Sequence, residues 1–513
     1  MASRLISINS FAQTVTKMSC LRSPYRLAAS ASQRNFCCLA VGIAVLLSGC
    51  GQGPKAEFSL RDATGELIPA AEKVVKKTLD EKFGTPQNLV AWQRFPVNYG
   101  GVQGSVADVA KDGVTTHFEG DLPAIHHGAP LLWLSGPRAG AKTSVDSVAT
   151  FDATTKQLKW AGSAEPAPAV GDKFVIGYGS NLQTGRVVYM KNCMHCHGVA
   201  GDGAGPTAQY LNPLPRDYRL GLFKFTSTLT PEKPTRDDLT RVLQHGIPGT
   251  YMPSFRWLGD KETTAVVEYV RWLSMRGEFE KRIDDDMSND YSAVAMEASA
   301  KKANEAYQTT IKTAKKEDKP EKPKTANQLI KTALEEFSKY EKDDLPGVIN
   351  DTATLLAESW KKGEEADSLI VPTVARVADN EASRERGKRL YLSDKGKCYT
   401  CHGVQGRGDG VATEDFWKKP GSDEYYSHRG LHDTWGRPLQ PRNLTLGQYR
   451  GGRRPVDVFR RIYAGIKGTP MPGFGRTALK DEEIWDIVNY VMSLQFQSAP
   501  TKSIVTDHAT VSK

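Results

Sequence analysis

The chain has 513 residues, enough for three or four domains of ordinary size, with 39% apolar and 25% charged residues. Its formal charge of +9 overstates its basicity, because residues 1–49 hold Arg4, Lys17, Arg22, Arg26 and Arg34 and no acid. What remains is near balance, so a nucleic-acid partner has no support. No interior apolar run is long enough to span a bilayer.

Residues 21–50 join a basic region to an apolar run from Phe36 to Leu47, ending Leu47-Ser48-Gly49-Cys50. That is the form of an export signal, too short for a comfortable membrane span. Its last four residues resemble a bacterial lipobox, in which the leader (residues 1–49) is removed and the Cys50 thiol is lipidated. The alternative is an ordinary secretory signal with a cysteine at its cleavage site. The expectation is an exported, periplasmic or extracytoplasmic protein held to a membrane by lipid.

Residues 50–180 read as a module of unassigned role. Pro69 to Phe83 has an amphipathic helical pattern, with Pro near its start and Gly84 at its end. Short β-like runs follow at Thr115–Glu119, Leu131–Ser135, Ser147–Phe151, Gln157–Trp160 and Lys173–Ile176, separated by glycine-rich turns. His117, His126 and His127 could ligate a metal. No carboxylate or cysteine completes a set, so surface histidines are the plainer reading.

Residues 181–280 contain Gly185-Arg-Val-Val-Tyr189, then Cys193-Met-His-Cys196-His197, then Met252-Pro253 in a Gly- and Pro-rich loop. Val266, Tyr269, Val270 and Leu273 then mark one face of a closing helix. Cys-x-x-Cys-His is the attachment sequence of c-type haem, with two thiols for covalent bonds and an imidazole for the iron. A zinc knuckle or a redox dithiol also uses paired cysteines, but neither explains the histidine that follows. The remaining cysteines, Cys20, Cys37, Cys38 and Cys50, sit at or before the expected cleavage point, so none forms a disulfide pair.

Residues 281–380 read as a charged, largely helical linker. Lys312 to Lys324 has the texture of a solvated strap, flanked by a capping-box start at Thr325-x-x-Gln328 and a helix over Asp351–Lys362. Residues 381–497 then repeat the earlier series. Gly387 to Tyr391 matches Gly185 to Tyr189, and Cys398-Tyr-Thr-Cys401-His402 matches the first motif. Pro441-Arg442 matches Pro215-Arg216, and Gly468-Thr-Pro-Met471 matches Gly249-Thr-Tyr-Met252. Ile484, Ile487, Tyr490 and Val491 mark the second closing helix. An internal duplication accounts for this order. The second copy adds an insertion after Gly410 holding Trp417, Tyr425, Tyr426, His428, His432 and Trp435; residues 498–513 are a tail.

A haem iron held by histidine alone keeps a position open to small ligands, whereas a thioether there closes it and raises the potential. Met252 lies 55 residues after His197 and Met471 lies 69 after His402, in rigid loops suited to reaching the opposite face. Met190 and Met194 are too close to the first motif to cross a porphyrin, and Met275 and Met492 belong to the closing helices.

In their order of motifs both copies resemble class I cytochromes c, over about 215 of the 513 residues. The resemblance implies a mainly α protein: two such domains in tandem, joined by the charged linker and preceded by the β-containing module. It implies two covalently attached haem c groups bound by Cys193, Cys196, His197 and Met252, and by Cys398, Cys401, His402 and Met471. It further implies that the Pro215 and Pro441 carbonyls accept the Nδ1 protons of the ligating histidines, and that Arg216 and Arg442 pair with haem propionates. The implied role is an electron carrier rather than an enzyme, serving a respiratory complex such as a quinol oxidoreductase or a terminal oxidase. The competing class is a dihaem enzyme of the bacterial cytochrome c peroxidase type, with one open iron. His428 or His432 replacing Met471 would leave a closed bis-histidine site instead.

Overall fold

The computed structural model describes residues 56–110, 113–118, 129–145, 148–152, 154, 157–160, 167–313, 326–475 and 477–497. The expected leader, Cys50, His126, His127, most of the lysine-rich strap and the tail lie outside the described residues.

Helix α1 (Pro69–Phe83) begins with Pro69 in its first turn and stops at Gly84, as its sequence predicts. Ala71, Val75, Leu79 and Phe83 recur at four-residue spacing and are all buried. The β-containing module follows as β1 (Val102–Ala110), β2 (Gly113–Phe118), β3 (Ala129–Trp133), β4 (Lys142–Val145), β5 (Val148–Asp152), β6 (Gln157–Trp160) and β7 (Lys173–Ile176). They pair antiparallel in the order β4-β3-β7-β1-β2-β6-β5. β1 and β4 are not among the β-like runs of the sequence. β1 carries Gly104, Ala107, Asp108 and Ala110, all poor strand formers, and is recruited by pairing with β2 and β7 on its two sides. A Cβ at Gly104 would lie 2.6 Å from the Phe174 ring, so this strand is glycine where the sheet core is fullest.

The first haem region is built from α2 (Ser180–Asn192), the helical turn Met194–His197, α3 (Arg236–His245) and α4 (Asp260–Tyr291). Helix α4 is 32 residues long and continues well past the expected end of the domain. Helices α5 (Ala293–Thr313), α6 (Ala326–Asp343) and α7 (Leu345–Lys362) make up the stretch read as a linker. Helix α7 starts earlier than its sequence pattern suggests, with Pro346 accommodated in its first turn. Phe337, Leu345, Ala353, Leu356 and Trp360 share one buried core with α1, α2 and α4. The linker therefore packs on the first haem region rather than standing off in solvent.

The second haem region comprises α8 (Glu381–Leu392), the turn Cys398–His402, α9 (Pro455–Ala464) and α10 (Asp481–Ser493) around a separate core. In both regions the first and last helices cross at a glycine. A Cβ on Gly185 would sit 2.1 Å from the Ala265 carbonyl oxygen, and one on Gly387 would sit 2.0 Å from that of Asp486. Tyr269 and Tyr490 flank the two crossings. Among the described residues no helix is long and apolar enough to cross a membrane.

Candidate haem-binding sites

Helix α2 delivers Cys193 at its end, and one helical turn then carries the motif. The Cys193 carbonyl accepts from the amides of Cys196 (3.1 Å) and His197 (2.9 Å). The Tyr189 hydroxyl donates to the Gly198 carbonyl at 2.8 Å, tying the end of that turn back to α2. This wall faces the methionine loop. There the Ile247 amide donates to the Met252 carbonyl at 3.0 Å, and the Met252 amide donates to the Thr250 hydroxyl at 3.1 Å. The Phe255 amide staples the loop to α3 through the Leu243 carbonyl, at 2.7 Å. Between the walls lies a cavity of about 490 Å³. Cys193, Cys196, His197 and Met252 all line it, with Tyr218, Leu239, Val266 and Val270 among its apolar sides. Its volume falls in the range of roughly 300–1,000 Å³ usual for cofactor sites. A flat apolar group with two thiols and an imidazole on one side and a thioether on the other fits this lining.

The second region repeats these bonds one by one. The Tyr391 hydroxyl donates to the Gly403 carbonyl at 2.8 Å. The Ile466 amide donates to the Met471 carbonyl at 3.2 Å, the Met471 amide to the Thr469 hydroxyl at 3.3 Å, and the Phe474 amide to the Ile462 carbonyl at 3.0 Å. Cys398 and Met471 border the same apolar core. Among the described residues the four motif cysteines form no disulfide. Among the described residues no cluster of three or more His, Cys, Asp or Glu side chains could hold a metal.

The imidazoles are oriented by a different carbonyl from the one expected. His197 Nδ1 lies 3.2 Å from the Arg216 carbonyl oxygen and His402 Nδ1 lies 3.1 Å from that of Arg442, not from Pro215 and Pro441. The prolyl carbonyls face elsewhere. Each points at a glycine, 2.6 Å from a Cβ on Gly203 and 2.4 Å from one on Gly408, and Pro215 also accepts from Arg437 at 2.9 Å. Neighbouring carbonyls of an irregular, extended run turn to opposite sides, so the next residue meets the histidine. Burial lowers the pKa of both imidazoles, His197 to about 4, opposed by the bond to the Arg216 carbonyl. Each is thus neutral near pH 7, with a lone pair free on Nε2 when Nδ1 holds the proton. Burial pushes the Cys193 and Cys398 thiols up to about 12.

The arginines expected at the propionates divide. Arg442 is committed to Gln448, donating to its backbone and side-chain oxygens at 2.8 Å each. The Arg216 guanidinium lies 4.1 Å from the centre of the Trp435 ring. Met275 is fully buried in core, as expected, and Met492 is packed against the second core. His432 stacks on Tyr426 at 3.8 Å, with Nδ1 bonded to the Gly430 carbonyl, and His428 is exposed beside Ser427. His117 lies on β2. Three contributors were not found from the sequence. Tyr218 stacks on the His197 ring at 4.8 Å, and Lys224 and Arg450 line the first cavity. Lys224 and Arg450 each fall nine residues after the paired Pro-Arg, which is the signal that could have found them.

Residues 182–274 and 384–495 match the family model described as cytochrome c. Among solved structures, the chain is similar to a chain of the reducing HAO-like protein complex of Kuenenia stuttgartiensis. The two are 24% identical, with 61% of this chain and 96% of that chain covered and a TM-score of 0.38. No curated protein matches. The two matched regions are cytochrome c domains, each with a cysteine pair for one covalently bound haem c.

Proposed function

We propose that this chain, an electron-transfer cytochrome with two haem c domains, works as a relay of single electrons in which neither iron opens to substrate. The bound haems supply an iron that changes oxidation state by one electron. The protein's share is to hold that iron closed. In this reading His197 and Met252 would hold the iron of the first haem, and His402 and Met471 that of the second. The Arg216 and Arg442 carbonyls fix the imidazole planes. Cys193, Cys196, Cys398 and Cys401 give the sulfurs of the thioether bonds.

One observation carries the reading: the hydrogen-bonded turn that presents the methionine is the same in both copies, and Met252 shares its cavity with His197. A catalytic haem would need its methionine displaced, and the matching hydrogen bonds of the two loops argue against that. Export, a lipid anchor at Cys50 and a membrane quinol oxidoreductase or terminal oxidase as partner complete the proposal, motivated by the Leu47-Ser48-Gly49-Cys50 stretch and by the place where haem c is attached. Carbon monoxide added to the dithionite-reduced protein tests it. A carrier with two closed irons leaves the spectrum unchanged. Binding of one equivalent per chain would assign the peroxidase-type alternative.

A further inference from the structure

The duplicated domains do not merely follow one another; their contacts are reciprocal. Gly249 and Gly468 are equivalent positions, as are Arg216 and Arg442. The Arg442 guanidinium lies over Gly249, 2.7 Å from where a Cβ would stand, and the Arg216 guanidinium lies beside Gly468, 3.6 Å from the same point. Asp238 and Asp457 are likewise equivalent, each the third residue of its helix and part of a capping box. Arg241, three residues after Asp238, approaches Asp457 at 4.0 Å, while Arg460, three residues after Asp457, lies in the field of Asp238. Contacts in which i meets j′ and j meets i′ are the signature of a twofold interface, here within one chain.

Lys224 and Arg450 form another such pair, nine residues after Pro215 and Pro441. Arg450 belongs to the second domain, yet it lines the first domain's cavity and donates to the Gly249 carbonyl at 3.2 Å. Its Nε is buried with no hydrogen-bond partner among the described residues. Lys224 lines the same cavity. Around them the seam gathers Arg216, Arg437 and Arg442; Asp433 lies 4.0 Å from Lys224 Nζ, Asp217 also faces Arg216, and Asp238 lines the same cavity, so the described cations still outnumber the carboxylates. Burial, then the neighbouring Arg216, brings Lys224 down to about 7. An excess of half-buried cations is costly unless anions meet it. The haem carboxylates are the anions the two sites supply.

We propose that Lys224 and Arg450 form one cationic seam shared by both haem sites, each side chain serving the carboxylates of the haem across the domain boundary as well as those of its own. The haem-1 half rests on the cavity lining; the haem-2 half follows from the internal twofold. The seam depends on the two haems being bound and not on whether the chain is a carrier or an enzyme. A cation beside a haem favours the reduced iron, so removing it lowers the potential.

Lys224→Gln and Arg450→Gln, each in the full-length holoprotein, test this by potentiometric titration in which the hyperfine-shifted resonances of the two haems are followed separately. Each substitution is expected to lower both potentials, with Arg450→Lys restoring values near those of the parent. A shift confined to the first haem for Lys224→Gln and to the second for Arg450→Gln would overturn the proposal, as would no shift in either. Should one variant fail to assemble, the other carries the test alone, because each is expected to move both potentials.

Discussion

Arg216 and Arg442 each serve two sites with one residue. Their carbonyls face the histidine of their own domain, and their guanidiniums lie against the other domain. A side chain can be exchanged without losing the backbone bond, so the imidazole orientation resists mutation in a way the seam does not. Gly387 has no such tolerance. With the Asp486 carbonyl oxygen 2.0 Å from a prospective Cβ, Gly387→Val forces α8 and α10 apart. The expected loss is at least about 2 kcal/mol, read as a lowered denaturation midpoint of the holoprotein. At this scale the sequence was legible where chemistry demands contiguity: two thiols and an imidazole must be adjacent to reach one haem, and Cys193 to His197 shows it. Carbonyl direction has no such imprint, so the sequence points to Pro215 and Pro441 for the Nδ1 acceptor, one residue before Arg216 and Arg442. Lys224 and Arg450 act through space and were invisible singly.

The element that sets the first haem region apart is α4. It is more than twice as long as its counterpart α10, 32 residues against 13, and its extra turns carry charges inward. Glu278 accepts from the Trp360 indole at 2.8 Å and from Lys233. Glu280 and Asp284 share the Thr64 hydroxyl at 3.0 and 2.9 Å, with Arg61 3.7 Å from Asp284. Burial raises Asp284 to about 7; the Thr64 bond opposes that rise and the neighbouring Glu280 adds to it. A carboxyl with a raised native pKa holds its proton longer folded than unfolded. Its contribution to stability is therefore complete below about pH 4 and is lost as pH rises toward 7. Denaturant unfolding of the parent should show that decline, and Asp284→Asn should flatten it; an unchanged slope would place the titration elsewhere. The amphipathic faces of α1, α4 and α10 were readable because one side is apolar at helical spacing. The inward charges past Gly277 were not, since Glu278 to Asp284 looks like a solvated stretch until Thr64, Lys233 and Trp360 arrive from distant parts of the chain. β1 escaped for a related reason: its pairing with β2 and β7, not its composition, makes it a strand.

At the scale of the whole molecule, the duplication is the organising fact. The same helix crossing, motif turn and methionine loop occur twice, and the two copies meet through equivalent residues. The mainly α architecture behind a β-containing module, and the tandem haem domains, follow from sequence pattern. The way the linker helices α6 and α7 join the first domain's core does not, because Phe337 and Trp360 reveal their partners only when folded. An electron relay of this kind requires both irons to be closed by sulfur. The far-red charge-transfer absorption of methionine-ligated ferric haem, measured on purified holoprotein alongside its covalent haem content by mass, tests that directly. Two haems per chain and a band of the strength of two methionine-ligated irons are expected; a single haem, or a band half as strong or missing, would contradict it.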